Sequence, residues 1–400
     1  MRIALVGPAH PYKGGGARHT TELAHRLAAE GHDVIIESWR AQYPARLYPG
    51  QQTVDVAEGA PYPRTRRRLA WYRPDGWLTE GRRLRTADLI VFAYLTPLQA
   101  PPYLAIMSRL GGTKTTVICH NVLPHERRPG DIPLTRALLS RADTVITHSA
   151  AQAAQARDLA PAAMVRTVAM PPHLPASLPQ NQGAERAGLS APAPAPLPAL
   201  ANPSTPAGSP APGKPLAPAD SPAPGSSAAL TRLLFFGIVR PYKGLDVLLR
   251  ALAQAPAHVT LTVAGEFWSD STEMDNLIAE LGVADRVILR PGYVPADEIP
   301  ALFGAADALV MPYREATASQ NALLAFAHGV PVITTTAGAL AEAVRDGVDG
   351  LTCAPGDTED LLRVLIQISD PETARRLRAG VRPVDPEPGW AAYLRVLLAG

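Results

Sequence analysis

Between Ala176 and Ser227 the chain carries thirteen prolines, many alternating with alanine, and hardly any aliphatic side chain larger than leucine. Such a stretch buries too little apolar surface to offset the entropy of ordering it, so it reads as a disordered or polyproline-II linker. A chain of 400 residues also exceeds one ordinary core, since domains cluster at roughly 100–200 residues. Two domains are therefore predicted, over 1–175 and 231–384, with 176–230 as the linker and a last helix over 385–400.

On each side of the linker, short apolar runs alternate with helical periodicity. Arg2–Val6, Leu89–Phe92 and Thr115–Cys119 in the first half, and Leu233–Phe236, Val259–Ala264, Ala308–Met311 and Val332–Thr335 in the second, read as strands. The alternation predicts an α/β fold with two parallel sheets covered on both faces, each collecting ligand groups at the carboxyl ends of its strands.

Three of those strand ends carry chemistry. Leu234–Ala251 (LFFGIVRPYKGLDVLLRA) is a strand that breaks at Gly237, presents Arg240 and Lys243, and resumes as an amphipathic helix. Unpaired N–H groups and the positive end of a helix dipole already favour an anion there, and two cations three residues apart make a diphosphate clamp; the bland reading is a solvated basic turn. In PYKGGG, Gly14, Gly15 and Gly16 let the backbone approach a ligand closely at the start of the first helix, although the GxGxxG dinucleotide fingerprint is absent. The third, CHNVLPHE, sets His120, Asn121, Pro124, His125 and Glu126 at the end of a strand, in the expected cleft.

Charge is divided unevenly. Residues 1–175 hold 22 Lys and Arg against 13 Asp and Glu, a net +9, and residues 231–400 carry −7. Within the first half, Arg64–Arg85 contains eight arginines with Trp71, Tyr72 and Trp77 among them. Arginine interleaved with tryptophan suits an anionic membrane surface or a polyanionic acceptor, and equally a plain solvated face; no DNA- or RNA-binding module accompanies it, which disfavours nucleic acid. Cys119 and Cys353 stand apart with neither CxxC nor Cys/His spacing, against a disulfide framework or a zinc site. The short apolar start, MRIALVG, reads as a first strand rather than a signal segment, and no apolar run reaches the ~20 residues of a spanning helix. A cytoplasmic protein is expected, peripheral at most on the inner face of a membrane.

Taken together, the PxxGGG loop with Gly31 and His32, CHNVLPHE, FGIVRPYKG, VAGE, GYVP with EIPALFGAAD, and AFAHGVPVITTTAGALAEAVRDGVDGL stand in the order and spacing of a known family. Across most of residues 1–175 and 231–360 the chain resembles the GT-B retaining glycosyltransferases of family 4. The resemblance implies two Rossmann-like domains facing across a cleft, a nucleotide-diphosphate sugar as donor substrate held by the second domain, and a glycan, lipid-linked or small-molecule acceptor on the first. It implies no cofactor and no metal, and a C-terminal helix crossing back to the first domain, which the Trp390 segment fits. By the same resemblance Arg240 and Lys243 neutralise the leaving diphosphate and His120 meets the sugar or reaction centre. Gly15, Gly16, Glu266, Tyr293, Val294, Glu315, Thr317 and Ser319 are then expected to bind the donor.

One departure stands out. The family carries two glutamates eight residues apart, and registering the chain on Ala325-Phe326-Ala327-His328-Gly329 puts Ala316 and Leu324 at those positions, with Glu315 one residue off. A non-catalytic GT-B subunit that binds a glycan or partner enzyme is therefore the rival reading, and a nucleotide-sugar epimerase on the same fold the runner-up enzyme.

Overall fold

A computed structural model describes residues 1–44, 52–54, 59–124, 126–173, 230–268, 272–316, 319–382 and 384–399. The predicted linker, apart from Leu230, lies outside the described residues, as do His125 and Thr317.

The first half runs β1 (Arg2–Val6), α1 (Gly15–Ala29), β2 (Asp33–Ala41), β3 (Thr65–Ala70), α2 (Pro74–Leu84), β4 (Leu89–Tyr94), α3 (Ala100–Met107), β5 (Lys114–Cys119), α4 (Asp131–Leu139), β6 (Thr144–Thr147), α5 (Ala150–Leu159) and β7 (Met164–Thr167). The second runs β8 (Thr231–Phe236), α6 (Leu245–Gln254), β9 (Val259–Gly265), α7 (Thr272–Glu280), β10 (Val287–Pro291), α8 (Ile299–Gly304), β11 (Ala308–Met311), α9 (Gln320–Ala327), β12 (Val332–Thr335), β13 (Gly350–Cys353), α10 (Thr358–Ser369), α11 (Pro371–Gly380) and α12 (Glu387–Leu398).

The strands form a seven-stranded sheet, β3-β2-β1-β4-β5-β6-β7, and a six-stranded sheet, β10-β9-β8-β11-β12-β13. Every pairing within them is parallel. Strand order reverses between β1 and β4 in one sheet and between β8 and β11 in the other. The loops leaving β1 and β8 therefore diverge from their neighbours and open a crevice at each switch point. PYKGGG follows β1 and IVRPYKG follows β8, so the order of the strands brings both sequence motifs to crevices.

Helices cover both faces of each sheet. In α6, Leu245, Leu248, Leu249 and Leu252 are buried with Leu233, Phe235 and Val263 of β8 and β9; across that sheet Leu234, Phe303, Leu309 and Phe326 form the second layer. The helix α12 is the predicted crossing element. Its Trp390, Tyr393, Leu394 and Leu397 are buried against Ile3, Leu5, Leu23, Leu27 and Ile36 of the first half, each such side chain contributing about 1.5–3 kcal/mol. Arg166 Nη1 donates to Val396 O at 3.1 Å, and Arg26 pairs with Glu387 at 2.6 Å while lying over the Trp390 ring.

The Arg64–Arg85 run forms an edge strand, β3, followed by α2. Its charges are largely met locally: Arg64 pairs with Asp33, Arg66 and Arg68 with Glu37, Arg68 and Arg83 with Glu80, and Arg73 with Asp75. Arginines on an edge strand also discourage pairing with another chain.

Candidate active site

A cavity of about 470 Å³ separates the carboxyl edges of the two sheets. From the first half it is lined by Lys13 to Ala17, His120, Asn121, Pro124 and Glu126; from the second, by Ile238, Arg240, Tyr242, Trp268, Tyr313 and Ala316. On the first side, α1 starts at Gly15, with Gly14 (φ 93°) before it. A Cβ added at Gly14 or Gly15 would meet none of the described atoms within 4 Å, so the backbone N–H groups at this helix start can be approached closely.

On the second side the turn after β8 is fixed by sterics. Gly244 has φ 68°, and a Cβ there would lie 2.1 Å from Pro312 O, so the start of α6 packs directly on the backbone leaving β11. That packing presents Arg240. Its guanidinium lies 5.2 Å from the Trp268 ring and 5.7 Å from the Tyr242 ring, and Nη2 donates to Glu126 Oε2 at 2.5 Å. Lys243 sits deeper: it is absent from the cavity wall, and its Nζ lies 5.2 Å over Tyr313 and 3.5 Å from where a Gly237 Cβ would stand. Burial lowers the Lys243 pKa from its ordinary value, Tyr242 raises it and Arg240 lowers it further. An anion brought to Gly237 would favour the charged form.

The two halves exchange charges across the cavity. Lys13 Nζ pairs with Glu266 Oε1 while lying 5.6 Å over the Tyr293 ring, and Glu126 pairs with Arg240. Each half thus supplies one cation and one carboxylate. Val294, beside Tyr293, packs against the cluster around Leu234 and Phe303.

His120 closes the floor of the cavity. Its N–H donates to Tyr94 O at 2.9 Å and its carbonyl accepts from Gln152 Nε2 at 3.1 Å, which hold the backbone at the end of β5. The ring belongs to a buried group of four histidines. His19 meets His120 edge-on at 5.0 Å, shares a 2.9 Å hydrogen bond with His173 through Nδ1, and a 3.0 Å one with Tyr393 Oη through Nε2. His148 donates from Nδ1 to Val168 O at 3.2 Å; since a carbonyl only accepts, Nδ1 carries the proton. Burial, followed by the neighbouring imidazoles, drives His19 and His120 well below the usual histidine range. His148 falls to about 4 and His173 to about 3, in both chiefly through burial. All four rings are thus neutral at pH 7, and His120 Nε2 is buried without a hydrogen-bonding partner among the described residues. A neutral imidazole at this spot can hydrogen-bond a hydroxyl without adding a charge beside it.

The region of the missing glutamates is also defined. Ala316 lines the cavity, Glu315 beside it is exposed, and Leu324 is 7% exposed in the core on α9. The Ser319 hydroxyl accepts from Asn321 N as the cap of α9, and Gln320 Oε1 accepts from His173 N at 3.1 Å. The structure therefore brings Gly15, Gly16, His120 and Arg240 to one cavity, places Glu266 and Tyr293 at its edge with Lys13, and sets Lys243, Val294, Ser319 and Glu315 behind or outside its wall. Lys13, Trp268, Tyr242 and the His19, His148, His173, Tyr393 group were not anticipated; for Lys13, a cation directly preceding three glycines was the available signal.

Residues 13–171 match the Glycosyltransferase Family 4 description and residues 231–370 the Glycosyl transferases group 1 description, one on each sheet. The chain belongs to the family 4, group 1 glycosyltransferases. This family 4 chain is 34% identical over 182 residues to D-inositol 3-phosphate glycosyltransferase 1 of Catenulispora acidiphila, covering 42% of this chain and 43% of that protein. It is 32% identical over 168 residues to the D-inositol 3-phosphate glycosyltransferase of Mycolicibacterium smegmatis, covering 41% and 38%. The matched stretches thus span less than half the length of these curated relatives. Sucrose-phosphate synthase from Thermosynechococcus elongatus superposes over the whole of both chains with a TM-score of 0.69 at 20% identity, and Anabaena HepE in complex with UDP does so at 0.64 and 16%. These likenesses establish the GT-B fold of two Rossmann-like domains. Among the described residues no helix is long and apolar enough to cross a membrane.

Proposed function

We propose that the chain transfers a sugar, with retention of configuration, from a nucleotide-diphosphate sugar to a glycan, lipid-linked or small-molecule acceptor. The observation that carries this reading is the cavity itself, where Arg240, held by two aromatic rings, faces the glycine-opened start of α1. Breaking the sugar–phosphate bond generates an oxocarbenium-like sugar and a departing dianion. Preorganised cations and N–H groups aimed at that developing charge lower the barrier. In this reading Arg240 and the α1 N–H groups meet the diphosphate, Lys243 adds charge from behind Gly237, and neutral His120 hydrogen-bonds the sugar. The donor is a substrate, and no cofactor takes part.

A peripheral contact with an anionic membrane at the cytoplasmic face belongs to the same reading, reduced to Arg67, Arg82 and Arg85 with exposed Trp71 and Tyr72, because the other arginines of that run are ion-paired. Sedimentation with acidic liposomes tests it; failure of the protein to sediment removes the membrane contact.

The second reading, a binding subunit without turnover, is favoured by one observation: Ala316 and buried Leu324 leave no carboxylate at either family position. The deciding experiment incubates several nucleotide sugars with and without acceptors, inositol phosphates among them because the curated relatives are named for D-inositol 3-phosphate. Acceptor-dependent release of nucleoside diphosphate, with the donor's anomeric configuration in the product, supports transfer. Tight binding without release supports the subunit.

A further inference from the structure

These two ion pairs across the cavity, between described residues, differ in their surroundings. Lys13 and Glu266 have side chains only 3% and 12% exposed, whereas Arg240 and Glu126 are 30% and 50% exposed. The first pair is desolvated, so separating it would leave two charges with little water to replace their partner. The second is wet on both sides, and water can take over the carboxylate as soon as it leaves.

The Arg240 side chain has little freedom to follow a departing partner, because the faces of Trp268 and Tyr242 fix its guanidinium. Glu126 comes from a different region, the loop after β5, and reaches Arg240 Nη2 with a single carboxylate oxygen at 2.5 Å. A guanidinium offers several N–H donors in one plane, and a phosphate accepts two of them side by side. A phosphate therefore competes well for this fork, while an uncharged hydroxyl does not displace a carboxylate from it.

We propose that Glu126 is a resident carboxylate at the phosphate position of Arg240, exchanged for a ligand phosphate on binding, so that it bars Arg240 to uncharged groups and costs a phosphorylated ligand part of its affinity. Glu126 is then a specificity-determining residue: it taxes every ligand that uses Arg240 and leaves ligands that do not use it untouched. The inference rests on the proposed role of Arg240 as the diphosphate clamp.

Calorimetric titration of the full chain with UDP, GDP and ADP identifies the tightest diphosphate, and the matching nucleoside serves as control. Glu126→Gln and Glu126→Ala are both exposed substitutions, checked for folding by their thermal midpoints. Each should tighten the diphosphate about three- to tenfold and leave the nucleoside unchanged. Weaker or unaltered diphosphate binding overturns the exchange, and so does equal tightening of diphosphate and nucleoside, which would mean that the pair acts only by holding the two halves together. Arg240→Ala is the separate arm: a loss of tenfold or more in diphosphate affinity upholds the clamp whatever the Glu126 variants do, and no loss overturns the clamp itself.

Discussion

The Glu37→Gln substitution tests the buried electrostatics of the first half. Glu37 and Glu80 have side chains 1% and 2% exposed and share Arg68, at 3.8 and 3.6 Å, with Arg66 at 3.4 Å from Glu37. Burial, then the Glu80 charge, raises the Glu37 pKa from 4.5 to about 7, against the opposing pull of Arg68 and Arg66. The folded state therefore binds the Glu37 proton more tightly than the unfolded chain. Stability is undiminished below about pH 4.5 and is lost as the pH rises to about 7, because a carboxylate already ionised in the unfolded chain must then take up a proton, or bury its charge, on folding. A shift of that size, 4.5 to about 7, corresponds to at most about 3.5 kcal/mol, at roughly 1.4 kcal/mol per unit. The amide of Glu37→Gln keeps the shape and cannot ionise. Urea unfolding of both proteins at half-unit intervals from pH 4.5 to 8 should give curves that agree at the acid end and diverge upward in pH, the variant being the more stable by about 2–3 kcal/mol at pH 8. Parallel curves across the range would refute the reasoning, since the Glu37 charge would then cost nothing on folding.

Three other substitutions read the site. Gly244→Ala sets a Cβ 2.1 Å from Pro312 O at φ 68° and should cost at least about 2 kcal/mol from the left-handed strain and the forced shift, measured by thermal or urea unfolding. Tyr393→Phe removes the hydroxyl bonded to His19 Nε2, leaving a buried nitrogen unpaired at a cost of about 1–3 kcal/mol, and should lower the thermal midpoint while the α12 packing of Leu394 and Leu397 persists. Glu315→Gln tests whether this carboxylate replaces the missing family glutamate: a sugar contact predicts a large fall in turnover with donor affinity nearly unchanged, and unaltered kinetics return Glu315 to the surface.

The two-sheet architecture was legible because buried parallel strands must be apolar runs and the helices over them must be amphipathic; Arg2–Val6 and Ala308–Met311 are strands at the predicted bounds. The β3 strand was hidden by Arg66, Arg67 and Arg68, since an edge strand needs little apolar content and its charges found carboxylates on a neighbouring strand and helix. The β13 strand was hidden by its composition, since Gly350 to Cys353 includes a glycine and a threonine and only one large aliphatic side chain, Leu351. At the site, Arg240 and the glycines announced themselves, because an anion-binding helix start has a local sequence signature. Their partners did not: Lys13 and Glu266 are 253 residues apart and Arg240 and Glu126 are 114. Nor did the four histidines, which α1, β5, β6 and the segment after β7 bring together through the sheet order alone. The absence of the paired glutamates was read from register, and the burial of Leu324 accounts for it physically at one of the two positions.

The central claim is that this cavity stabilises a departing diphosphate, and steady-state turnover of a nucleotide sugar by the unaltered chain, Arg240→Ala and Lys243→Ala tests it most directly. Loss of one preorganised stabiliser of developing charge corresponds to about 2–4 kcal/mol, so each variant should retain its thermal midpoint and lose more than about a hundredfold in kcat/KM. Near-unaltered rates in both variants would contradict the account, since the charge of the leaving group would then be met elsewhere.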